Sequence, residues 1–176
     1  VPSFGAASAR LAVIGLAPGL KGANRTGRPF TGDYAGTLLY ETLKAHGFAR
    51  GTYEARADDG FTLVDCLVSN AVRCVPPENK PLGAEIATCR QFLKGRLDAM
   101  PKLKAVLALG RIAHDSVAAA VNGKGKLPFA HGAAHELLGG IRLFDSYHCS
   151  RLNTSTGVLT PTMFDKVVAE IRAYLE

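Results

Sequence analysis

The chain has no Cys-x-x-Cys pair among its four cysteines, Cys66, Cys74, Cys89 and Cys149. A self-contained zinc site is therefore not expected, nor does a disulfide framework suit a chain of this length. No apolar run nears the roughly 18 residues that a membrane span needs, and no secretory signal is visible. These absences lead us to expect a soluble, cytoplasmic protein with no membrane partner. Three chemical signatures are missing as well. No Gly-Lys-Ser/Thr opens a helix, no Gly-x-Gly-x-x-Gly follows a strand, and no Gly-x-Ser-x-Gly elbow is present. P-loop, dinucleotide-fold and serine-hydrolase chemistries are thereby disfavoured.

What is present is a single-domain length of 176 residues, 47% of them apolar, opening on Val1 rather than Met. That opening suggests that an N-terminal segment precedes it. The net charge of +6 favours an anionic partner, nucleic acid above all, and a monomer is expected.

The chain turns on Gly15 to Gly36, GLAPGLKGANRTGRPFTGDYAG, which holds six glycines and the cations Lys21, Arg25 and Arg28. An apolar run, Leu11 to Ile14, precedes it and a helical pattern follows, so it reads as a long strand-to-helix connection. Long ordered connections are usually functional, and glycines with cations suit close approach to a phosphate. Strands are expected over residues 10–15, 62–69, 104–109 and 141–145. Helices are expected over residues 34–46, 84–99 and 112–121, and again after the Thr160-Pro161 start. Residues 122–140 read as irregular. Strands alternating with helices predict a three-layer α/β/α sandwich with a mostly parallel central sheet. Ligands of such sheets bind beyond the carboxyl ends of the strands.

That rule gathers residues far apart in sequence onto one rim. Phe30 and Asp33 belong to the first loop, Asn70 ends the second strand, and Ser146 to Asn153 follow the last. One aromatic, one carboxylate, one carboxamide and one imidazole, His148, suit recognition of an extruded base. Each residue also has an ordinary role open to it. Asp33 can cap a helix, Phe30 can cover the core, and Asn70 and His148 can satisfy backbone groups.

GLAPGLKGANRTGRPFTGD, SNAVRCVPPENKP and SYHCSRLNTSTGVLTP together resemble the uracil-DNA glycosylase superfamily, and within it the iron–sulfur family 5. The resemblance covers nearly the whole chain in order. It implies a repair enzyme that hydrolyses the N-glycosidic bond of uracil, or of other damaged bases, in double- or single-stranded DNA. Most of the superfamily places Asp or Asn shortly after the first strand. Here that segment is Leu16-Ala17-Pro18-Gly19, a departure that family 5 shares. The resemblance then implicates Asp33 in orienting water or stabilising a cationic sugar. It has Phe30 stacking on the base, Asn70 reading its edge and His148 donating to its oxygen. Gly15, Ala17 and Gly19 would line the pocket. Lys21, Arg25, Arg28, Ser150, Arg151, Leu152 and Asn153 would meet DNA, with Leu152 as the wedge. Cys74 and Cys89 match two of the four cysteines that ligate the family's [4Fe-4S] cluster; the other two would lie upstream of Val1. Two other classes stay open: a silent damage-binding module of the same fold, and a free-nucleotide enzyme.

Overall fold

The computed structural model describes residues 1–123 and 126–176. Lys124 and Gly125, within the stretch expected to be irregular, lie outside them. Six strands form one sheet, in the order Phe4–Gly5, Cys66–Asn70, Leu11–Gly15, Ala105–Leu109, Arg142–Ser146 and Ala134–Glu136. Its centre is parallel: β2 (Leu11–Gly15), β5 (Cys66–Asn70), β6 (Ala105–Leu109) and β8 (Arg142–Ser146). Each edge carries a short antiparallel strand, β1 (Phe4–Gly5) on β5 and β7 (Ala134–Glu136) on β8.

Successive residues of a strand face opposite sides of a sheet, and the core divides on that alternation. Leu11 and Val13 of β2, with Ala105, Leu107 and Leu109 of β6, pack among Leu39, Leu43, Phe164 and Val168. Those last four belong to α2 (Tyr34–Ala45) and α6 (Pro161–Leu175). Ala12, Ile14, Val106 and Ala108 face the other way, onto Leu93, Leu97, Ala113 and Val117. These come from α3 (Gly83–Asp98) and α4 (Arg111–Asn122). Helices therefore cover both faces of the sheet, the three-layer sandwich expected from the alternating pattern.

Several boundaries differ from expectation for local reasons. The strand expected over residues 62–69 breaks at Asp65, whose φ is +55°. Thr62–Leu63 (β4) pairs instead with Ala49–Arg50 (β3) in a separate two-stranded sheet. Residues 122–140, read as irregular, contain the edge strand β7. Two short helices also appear where loops were expected. α1 (Ala23–Thr26) interrupts the first connection, and α5 (Arg151–Ser155) follows His148. Thr160 caps α6 as its sequence implies, its side chain accepting from the Met163 N–H at 3.2 Å.

Register places the site. Gly15 is paired with Asn70 across β2 and β5, and Leu109 with Ser146 across β6 and β8. All four parallel strands thus end at one rim, and each connection that leaves them starts there.

Candidate active site

A cavity of about 590 Å³ opens at that rim. Leu16, Ala17, Gly19, Phe30, Asp33, Tyr34, Gly110, Arg111, Ile112, His148, Ser150 and Arg151 contribute to its lining. Exposed residues at its edge, Tyr34 at 53% and Ile112 at 36%, leave it open to solvent.

The glycines of the first connection have a local explanation. Phe30, at φ +60°, holds a conformation that non-glycine residues rarely adopt. Its ring comes so close to Gly15 that a β-carbon there would lie 2.3 Å from Phe30 Cζ and 2.6 Å from Asn70 Oδ1. Asp33 is seated in the same way, because β-carbons at Gly19 or Gly22 would fall 2.2 or 1.9 Å from its Oδ1. These glycines make room for the protein's own aromatic ring and carboxylate, and Gly19 also lines the cavity.

Asp33 stands at the N-cap position of α2, yet its side chain makes no capping bond to that helix. It turns back and accepts from the Ala23 N–H at 3.3 Å. Burial pushes its pKa up, opposed by the backbone N–H groups of Ala23 and Gly19. Position alone allows a helix cap; Asp33 instead lines the cavity. His148 is half-buried, and desolvation lowers its pKa to about 4, so its imidazole is neutral near pH 7. Among the described residues, its Nδ1 has no hydrogen-bond partner. The ring lies 6.1 Å from the Phe30 ring, centroid to centroid, at 32°. Asn70 is set behind the cavity wall, 5% exposed, with Oδ1 buried and unpartnered. An orphaned polar atom beside the Phe30 edge is a costly feature unless a ligand satisfies it.

The cations expected to meet phosphate divide into two groups. Lys21 and Arg25 are exposed, and the Arg25 Nε donates to the Lys21 carbonyl at 3.0 Å. Arg28 is buried and does not reach solvent. Its two Nη atoms donate to the two oxygens of Asp59 at 2.9 Å each, and its Nε donates to Thr31 Oγ1 at 2.7 Å. The guanidinium also lies 4.9 Å over the Phe4 ring. Arg28 is thus a clamp between the first connection and the turn before β4, which corrects its expected DNA contact. The Asp58-Asp59-Gly60 turn carried the partner, but no spacing rule linked it to Arg28. Removing one member of a buried pair leaves the other charge uncompensated. Arg28→Met is expected to lower stability by about 3 kcal/mol or more, read as a fall in the urea midpoint.

The segment after His148 is likewise divided. Ser150 caps α5, accepting from the Asn153 N–H at 3.2 Å, and the Asn153 carboxamide donates to the His148 carbonyl at 2.9 Å. Both polar groups thus help to shape the loop, and Ser150 also lines the cavity. Leu152 is 70% exposed, as a wedge requires. Arg151 lies 5.0 Å over the ring of Tyr34, a cavity residue that the motifs did not single out.

A family model described as the Uracil DNA glycosylase superfamily matches residues 2–172. The chain belongs to that superfamily. Within it, the chain is 43% identical to the type-5 uracil-DNA glycosylase of Thermus thermophilus over 173 residues, which are 98% of this chain and 78% of that protein. It is 39% identical to the type-5 uracil-DNA glycosylase of Mycobacterium bovis over 175 residues, 98% of this chain and 65% of the relative. The type-4 uracil-DNA glycosylase of Thermotoga maritima is 31% identical over 145 residues, 81% of this chain. The superfamily's polar residue after the first strand is absent here. The cavity wall at that point is Leu16 and Ala17.

The cysteines give an incomplete ligand set for the iron–sulfur cluster that the family resemblance implies. Cys74 is exposed and Cys89 half-buried, so both thiols are accessible. Cys66 and Cys149 are buried, and burial pushes both thiols up, away from the thiolate that a cluster needs. Two accessible thiols are half of a four-thiolate set. The described residues by themselves do not fit the cluster.

Proposed function

We propose that this chain hydrolyses the N-glycosidic bond of uracil flipped out of DNA. The observation that carries the reading is that Phe30, Asp33 and His148 line one open cavity at the rim where Asn70 ends its strand. The volume suits a small ligand. The Phe30 ring would stack on the base, and Asn70, with its unmatched Oδ1, would pair with the base edge. His148, neutral at working pH, would donate to the base oxygen where negative charge collects as the bond stretches. Water attacks the sugar carbon, the bond to the base nitrogen breaks, and the base leaves as an anion. Asp33, within a largely apolar wall, would take the water's proton and oppose the positive charge on the sugar. Leu152 would enter the space that the flipped base vacates, with Arg151, Lys21 and Arg25 on phosphates.

The test is a duplex carrying one deoxyuridine. An alkali-labile abasic site is the expected product, and its absence from U:G, U:A and single-stranded substrates alike would remove the reading. The apolar Leu16-Ala17 wall motivates the second reading, a damage sensor without turnover. Tight, salt-sensitive binding with no released uracil would favour it.

We also propose Cys74 and Cys89 as two ligands of a cluster completed by thiolates outside these residues. The Val1 N–H donates to the carbonyl of Arg73 at 3.0 Å, which brings residue 1 beside Cys74.

A further inference from the structure

A second hollow, of about 410 Å³, lies beside the first. Its walls are Arg111 and Asp115 of α4 and the segment Lys126, Leu127, Pro128 and Phe129. Arg111 lines both hollows, so one exposed side chain forms the partition between them. Its guanidinium carbon sits over the Phe129 ring, 5.9 Å from the centroid.

This wall is pinned from beneath. His114, fully buried on α4, donates from Nε2 to the Leu127 carbonyl at 2.8 Å, and His135 of β7 donates from Nε2 to the Pro128 carbonyl at 2.9 Å. A carbonyl only accepts, so both Nε2 atoms carry protons and are not offered to a metal. His114 Nδ1 is held in turn by Asp145 at 2.7 Å. The Phe129 ring stands edge-on to His114, with centroids 5.6 Å apart. It also lies 6.2 Å from the ring of Tyr147, the residue before His148. The aromatic wall is thus tied to the strand end that presents His148.

An accessible aromatic ring, a guanidinium lying over it and a neighbouring lysine form the usual platform for an unpaired nucleotide. The base stacks on the flat groups and the phosphate meets the cations. Two cations here face one carboxylate, Asp115. We propose that the second hollow is a subsite for the nucleotide next to the flipped one. Its base stacks on Phe129 and Arg111, and its phosphate lies between Arg111 and Lys126. This inference rests on the glycosylase reading above. It adds that the strand is unstacked over two consecutive nucleotides on one side of the lesion, not one.

The experiment uses single-stranded oligonucleotides with one deoxyuridine, in which the 5′ or the 3′ neighbour is replaced by a base-less tetrahydrofuran residue. Loss of the neighbouring base on one side only is expected to lower kcat/KM about tenfold. Phe129→Leu is expected to show the same tenfold loss on the unmodified strand and no further loss on the base-less one. Lys126→Ala is expected to raise KM and reduce the salt slope by about one phosphate. Equal rates with either neighbour removed, or losses that multiply in Phe129→Leu, would overturn the subsite. Should Phe129→Leu fail to fold, an unchanged salt slope in Lys126→Ala would overturn it instead. Wild-type uracil release from the unmodified strand is measured in the same series. Failure of the glycosylase reading would therefore appear as no product anywhere, which is distinct from failure of the subsite.

Discussion

Asp33→Asn is expected to lower kcat by about a thousandfold while duplex affinity stays within about twofold of wild type. The substitution keeps the shape of the side chain, and its single oxygen can take the place of Asp33 Oδ2, which accepts from the Ala23 N–H. What is lost is the negative charge and the ability to take a proton. In an apolar wall that loss acts at short range with little solvent screening. Single-turnover kinetics beside a binding titration separate the two quantities. Equal losses in both would contradict a catalytic role. The pH profile gives an independent check. Burial raises the Asp33 pKa, so the carboxylate is neutralised at a higher pH than an ordinary aspartate. Turnover should accordingly fall on acidification through that raised value, and the limb should vanish in the residual activity of Asp33→Asn.

His148→Leu is expected to cost about a hundredfold or more in kcat, the usual loss of one well-placed donor to a developing anion. Its second signature lies in stability. The folded protein depresses this imidazole from 6.5 to about 4, so the unfolded chain takes up its proton first as pH falls. The neutral ring imposes no penalty above pH 6.5. Between about 6.5 and 4 stability declines, by about 3 kcal/mol in all if no other group compensates. The leucine variant should lack that decline while retaining the acid limbs of the carboxylates. Urea midpoints measured at pH 7 and pH 4.5 for both proteins decide it. A slope unchanged by the substitution would mean that His148 is more hydrated than its surroundings indicate.

The sandwich was legible because its signals are short-range. Apolar runs such as Leu11 to Ile14, the amphipathic stripe from Phe164 to Leu175 and the Thr160-Pro161 start each follow from a few neighbouring residues. The rim was legible because parallel strands share a direction, which carries Asn70 and His148 to one side without any contact being known. Roles that depend on a distant partner were not legible. Arg28 is indistinguishable from Lys21 and Arg25 by spacing, and only the fold reveals Asp59 beneath it. Nor did the motif around Ser150 and Asn153 tell that Ser150 caps α5 or that the Asn153 carboxamide bonds to the His148 carbonyl. The glycines of the first connection were expected to let the backbone approach a ligand, with Gly15 and Gly19 lining the pocket; those at 15, 19 and 22 also make room within the protein. They face Phe30, Asn70 and Asp33, a packing relation that composition cannot express. Tyr34 and Phe129 were not singled out, since an aromatic at the surface declares its role only once its neighbours are known.

Both margins of the main sheet end in strands of two and three residues, Phe4–Gly5 and Ala134–Glu136. A longer, flatter margin would offer its unpaired amides to any neighbour, and copies brought side by side on one polymer would begin to zip together. Margins this short give an arriving chain almost nothing to grip. Molecules crowded along the same track can therefore pass and separate without seeding a fibre.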